Sequence, residues 1–89
     1  MDPIYDRLPP EAAMQAQQLA RLIYEARENR RQVLDAAGAP DEQTLLQRIA
    51  DGDAAEHPAY EHYLAARILA DTHQAARAAL NELLQEANR

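Results

Sequence analysis

Two long stretches of this chain contain nothing that stops a helix. Neither glycine nor proline interrupts residues 11–37, and none occurs after Pro58. Alanine, leucine, glutamine, glutamate and arginine dominate both stretches, and all are good helix formers. The punctuation around them is equally clear. Pro10 suits the first helical position, with Glu11 near the positive end of the helix dipole. Gly38 supplies a C-terminal stop, reinforced by Pro40. Asp41, Glu42 and Gln43 open a shorter helix carrying Leu45, Leu46, Ile49 and Ala50, which ends at the Asp51-Gly52-Asp53 turn. The spacing predicts helices over about 11–37, 41–51 and 58–88. Residues 1–10, with Pro3, Pro9 and Pro10, are expected to form an extended arm, leaving 11–89 as a single helical domain.

At 1.5 Å per residue the two long helices would measure about 40 and 45 Å, whereas a round domain of this length has a radius of gyration of about 12 Å. They cannot fit inside a sphere. The expected fold is therefore all-α: an antiparallel hairpin of two long helices joined through one short connecting helix.

The composition says what can hold such helices together. The chain is 47% hydrophobic, yet 20 of its 89 residues are alanine; Phe and Trp are absent, and 11 leucines carry most of the apolar bulk. In the first helix Ala12, Ala16, Leu19, Ile23, Ala26, Arg30, Val33 and Ala37 recur at alternating steps of four and three, a sustained heptad. In the third, Ala65, Leu69, Thr72, Ala76, Ala79, Leu83 and Glu86 show a similar register, with Leu80 and Ala87 drifting onto the stripe. Flanking residues widen it, with Leu64 and Ile68 on one side and Ala66 and Leu84 on the other, beyond what one partner helix can cover. Burial of apolar surface contributes about 25 cal/mol per Å², so alanine seams struggle to offset about 1.5 kcal/mol of ordering cost per residue. Two hairpins are thus expected to pair as a homodimeric four-helix bundle. The self-association seam is assigned to Leu19, Ile23, Ala26, Arg30, Leu69, Ala76, Leu80 and Leu83; the competing arrangement is a monomeric three-helix bundle.

Much chemistry is excluded by what is missing. Without cysteine or serine, and with threonine only at Thr44 and Thr72, the common nucleophiles are scarce. Two glycines are too few for a phosphate-cradling loop. A net charge of −6, with arginine as the only base, disfavours binding to nucleic acid through a general phosphate field. Lysine-free, alanine-rich usage fits a GC-rich bacterial genome. The N-terminus shows no secretory signal and no apolar run could span a bilayer, so a cytoplasmic location is expected.

The remaining candidates are local. Arg30 interrupts an apolar seam, where a charge must be paired; Glu61 and Asp71 are candidate partners, and a register-fixing ion pair is favoured over a ligand site. The acidic turn Asp51, Asp53, Glu56 and His57 could gather donors for a cation, but it does not match a calcium loop, and the spacings of His57, His62 and His73 put no two on one helical face at bonding distance. Helix punctuation explains the same residues, and no cofactor is expected. Arg67 and His73 loosely resemble the arginine–histidine pair of HEPN-type RNA-cleaving helical domains; Ile68 stands where a polar residue usually follows the arginine, and the two side chains project about 120° apart. Tyr60, Tyr63 and Leu64 form a possible partner-binding patch on the side of the third helix away from its heptad. Acidity is concentrated beside them, because residues 35–61 hold seven acids and one arginine. The sequence therefore reads as a non-catalytic interaction protein, an adaptor, regulator, antitoxin or inhibitor, binding itself and another protein. The alternative is a ligand- or metal-binding bundle using Arg30 or the turn at 51–57.

Overall fold

The computed structural model describes residues 8–87, and among these all regular structure is helical. Helix α1 spans Pro10–Ala37, α2 spans Glu42–Ala50 and α3 spans Glu56–Ala87. Most of the expected arm, including Ile4 and Tyr5, lies outside the described residues; Leu8, at its end, is buried.

Each boundary follows from local chemistry. Pro9 precedes α1 in an extended conformation and Pro10 occupies its first turn, where its missing N–H costs nothing. At the other end Gly38 adopts the left-handed conformation at φ 68°. The Gly38 N–H donates to the Asp35 carbonyl at 3.0 Å and the Ala39 N–H to the Leu34 carbonyl at 3.0 Å. This paired closure satisfies two carbonyls of the last turn and brings Ala39 beside Leu34, both buried. Asp41 then caps α2, its carboxylate accepting from the Thr44 N–H at 2.7 Å. In α3 the backbone of His57 is non-helical (φ −108°, ψ 123°), so the regular helix begins at Pro58, where the sequence places it.

The long helices run antiparallel. Ala37 and Ala39 meet Ala59 and Tyr63 at one end, Arg27 and Arg30 face Ala70 and His73 midway, and Ala12 lies near Leu83 and Ala87 at the other end. The resulting body is a rod, with Cα extents of 53 × 19 × 16 Å and a radius of gyration of 17.2 Å. A round chain of this length would have about 12 Å.

Small side chains make the α1–α3 contact. Ala16 and Ala66 are completely buried, and Ala26 and Ala76 nearly so. The spacing repeats, since Ala16-x-x-Leu19-Ala20 and Ala26-Arg27 are matched by Ala66-x-x-Leu69-Ala70 and Ala76-Arg77. Alanine lets the two axes approach closely, while the leucines between them stay half-buried. The register of α3 differs from the sequence expectation. Its deepest positions are Ala59, Ala66 and Ala76, and Ala66, expected on a flank, is central. The line Ala65–Thr72–Ala79 is half-buried along one edge, and Glu86 is exposed. The contact keeps Leu69, Ala76 and Leu83 of the expected heptad but is rotated toward Ala66, because a stripe broader than one partner helix allows more than one line of approach.

Candidate functional site

Helix α2 lies at one end of the rod and builds the most differentiated region of the molecule. Leu45, 1% exposed, is the largest fully buried side chain among the described residues. It packs with Ala39 and Ala59, and Ala37, Ile49, Ala54 and Tyr63 close around this cluster. A leucine inserted beneath α3 removes apolar area that no seam alanine could.

Polar contacts lock the same end. Arg30 donates from Nε to the Glu42 carboxylate at 2.9 Å, and its Nη2 engages the second carboxylate oxygen. This two-pronged bond joins the last turns of α1 to the first turn of α2. Glu42, not Glu61 or Asp71, is thus the partner of the seam arginine. The acid comes from the connecting helix because the guanidinium emerges on the side where α2 docks. The hydrogen bond holds the Glu42 carboxyl below its ordinary range, against a smaller opposing effect of burial, and raises the Arg30 guanidinium. Asp41 is also held low, chiefly by the Thr44 N–H that it accepts. At the far end of α2, Arg48 reaches back to the Gly38 carbonyl at 2.7 Å.

Outside this lock the surface is apolar. Leu46 is 39% exposed, Tyr60 46%, Leu64 39% and Ile68 64%. Tyr60, Leu64 and Ile68 are spaced four apart, so they line one edge of α3, and Leu46 of α2 adjoins its start. Between the helices lies an open cleft of about 230 Å³ lined by Leu46, Ile49, Ala50, Glu56 and Tyr60. The Tyr60 and Tyr63 rings stack with centroids 6.0 Å apart. Their roles diverge, however. Tyr63 is half-buried against the Leu45 cluster and accepts from Arg67 at 3.3 Å, whereas Tyr60 opens onto the cleft. Leu46 and Ile68 complete a surface for which the sequence reading named only Tyr60, Tyr63 and Leu64. The four-residue spacing 60–64–68 was the available signal; Leu46 joins only through the docking of α2.

The seam residues fall where α1 meets α3 within one chain. Ala26 and Ala76 are buried there, while Leu19, Ile23, Arg30, Leu69, Leu80 and Leu83 remain half-buried. The residues of the acidic turn are not gathered. Asp51 accepts from Gln47 at 2.9 Å, His57 pairs with Glu61 at 2.7 Å, and no group of three potential metal ligands exists among the described residues. Arg67 and His73 are likewise separate, with His73 half-buried in a cleft of about 350 Å³ shared with Arg27, Arg30, Ala70 and Gln74. Among the described residues no helix is long and apolar enough to cross a membrane.

These features define a class by form: a thin antiparallel helical hairpin with a short third helix locked across one end. A family profile described as "Uncharacterized protein MJ0235 family" matches residues 11–88, and the chain belongs to that family. No curated protein and no solved structure matches it.

Proposed function

We propose that this protein is a small, non-catalytic helical interaction module of the cytoplasm that pairs with a second copy of itself and presents its α2-capped end to another protein. One observation carries the reading: the exposed strip Leu46–Tyr60–Leu64–Ile68 borders an open cleft within the most acidic stretch of the chain. Large exposed side chains that converge on a concavity mark contact surfaces, and a rigid tyrosine is a favoured anchor. Seven acids in residues 35–61 give the surface a sign, so the favoured partner is basic, as for an antitoxin or inhibitor that masks a cationic site.

The test uses Tyr60→Ala combined with Leu64→Ala. Both side chains are exposed, so the variant should keep its melting temperature. A stoichiometric partner captured from the native host by the parent, and lost by this variant, would support the reading. Equal capture by both would overturn it. Tyr63→Ala is the informative control, because it loosens the Leu45 cluster and should lower the melting temperature.

A second reading, a small-anion site, draws on the cleft that Arg27, Arg30, His73 and Gln74 share. It is weakened by the Glu42 carboxylate already held by Arg30. Calorimetric titration with inorganic phosphate tests it, and absence of heat in the parent and in Glu42→Gln would remove it.

A further inference from the structure

We infer that the second copy packs on the broad face of the α1–α3 layer opposite α2, through two uncharged rows of side chains. This inference rests on the self-association reading and names the surface that performs it.

The face is located by where α2 sits. Arg30 turns toward Glu42, and the cleft containing Arg27 and Ala70 opens on that same side, as does Tyr63 beneath α2. Residues two apart on a helix project about 160° from one another. Asn29 therefore points away from the side of Arg27, and Ala65 away from the side of Tyr63. Extended at helical spacing, the α1 row is Leu22, Asn29 and Val33, with Leu19 half-buried beside it. The α3 row is Ala65, Thr72 and Ala79, with Leu83 half-buried beside it; these are the members of the sequence heptad that lie along an edge of the α1–α3 contact, whereas Ala76 is buried within that contact.

Three properties single out a second copy as the occupant. First, the layer is bare. A helical domain needs two packed layers around its core, and the nine-residue α2 covers only one end of the other face. Second, neither row carries a charge until the α3 row reaches Glu86 at its end. Its one hydroxyl, on Thr72, already donates to the Ile68 carbonyl at 2.9 Å, so covering it leaves no unsatisfied donor. Two copies related by a two-fold axis would set these rows against themselves without like-charge repulsion, whereas the α2 face would bring two acidic segments together. Third, the face is long: the molecule extends 53 Å and both long helices run along it, so a second rod can lie against it over many turns rather than touch at a point. The half-buried Ala65 and Ala79 permit close approach, and Leu22, 40% exposed, supplies an anchor on the rim.

The test is sedimentation equilibrium at micromolar concentration, with circular dichroism to monitor folding. The parent should sediment at twice its 10.0 kDa chain mass. Leu22→Glu with Ala79→Glu should be a helical monomer, and Leu22→Glu alone should weaken association at least tenfold. Leu46→Glu, on α2 and on the partner-binding strip, should leave the dimer intact. Three outcomes would overturn the inference: a double variant that stays dimeric, dissociation by Leu46→Glu, or a parent that is monomeric until residues 1–7 are removed, which would make that segment the occupant. A parent that is monomeric with and without them would remove the self-association reading as well. None of these outcomes bears on capture of a different protein through Tyr60.

Discussion

The two ends of the rod are held by different physics. Along the α1–α3 seam the closest contacts are alanines, with leucines half-buried between them and hydrogen bonds confined to the individual helices. At the α2 end a leucine is fully buried, an ion pair links two elements, and an arginine returns to the carbonyl of a helix terminus. The seam gains from many weak contacts spread over its length, which tolerate local change. The capped end concentrates its stability in a few groups, each with one partner. This contrast teaches where the molecule is specified: the seam makes it a hairpin, and the capped end decides which side α2 lies on.

Breaking the capped end should have the largest effect. Leu45→Ala removes the largest fully buried side chain among the described residues and should cost about 2–4 kcal/mol in chemical denaturation, with α2 amides losing exchange protection first. If the loss were spread evenly over α1 and α3, the ends would not be distinct. Overpacking the seam comes next. Ala66→Leu has no space to enter and should cost about 1–3 kcal/mol while raising the radius of gyration in small-angle scattering.

Removing the ion pair is a smaller change. Glu42→Gln should cost about 0.5–1 kcal/mol, because both partners keep access to water. Its pH dependence has a definite sign. Asp41 and Glu42 titrate below their unfolded values in the native protein, so their contribution is complete above the ordinary carboxylate range and is lost as pH falls through the lowered values. The melting temperature of the parent should fall toward that of Glu42→Gln below about pH 4, and a constant gap from pH 6 to pH 3 would refute the assignment. Smallest of all, Ile68→Ala on the exposed strip should change stability by no more than about 0.5 kcal/mol. A larger loss would show that the strip belongs to the core.

Much of the fold was legible in advance because its signals are local. Pro10, Gly38, Asp41 and Pro58 act through their own backbone geometry, and each marks a helix boundary in the structure. The candidate site was only partly legible. Tyr60 and Leu64 stand out because large apolar side chains off the heptad are visible in the sequence. Arg30 was identifiable as a charge needing a partner, but Glu42 was not identifiable as that partner, since no rule of spacing relates α1 to α2 across a turn.

The sequence by itself determined the number of helices, their lengths and the alanine-rich character of their contact, because those properties depend on residues close along the chain. Only the tertiary structure decided which α3 stripe meets α1, where Arg30 finds its acid, and which face of the layer α2 leaves bare. An apolar stripe wider than one helix is compatible with more than one register, and the choice falls to whichever alanines allow the two axes to come closest.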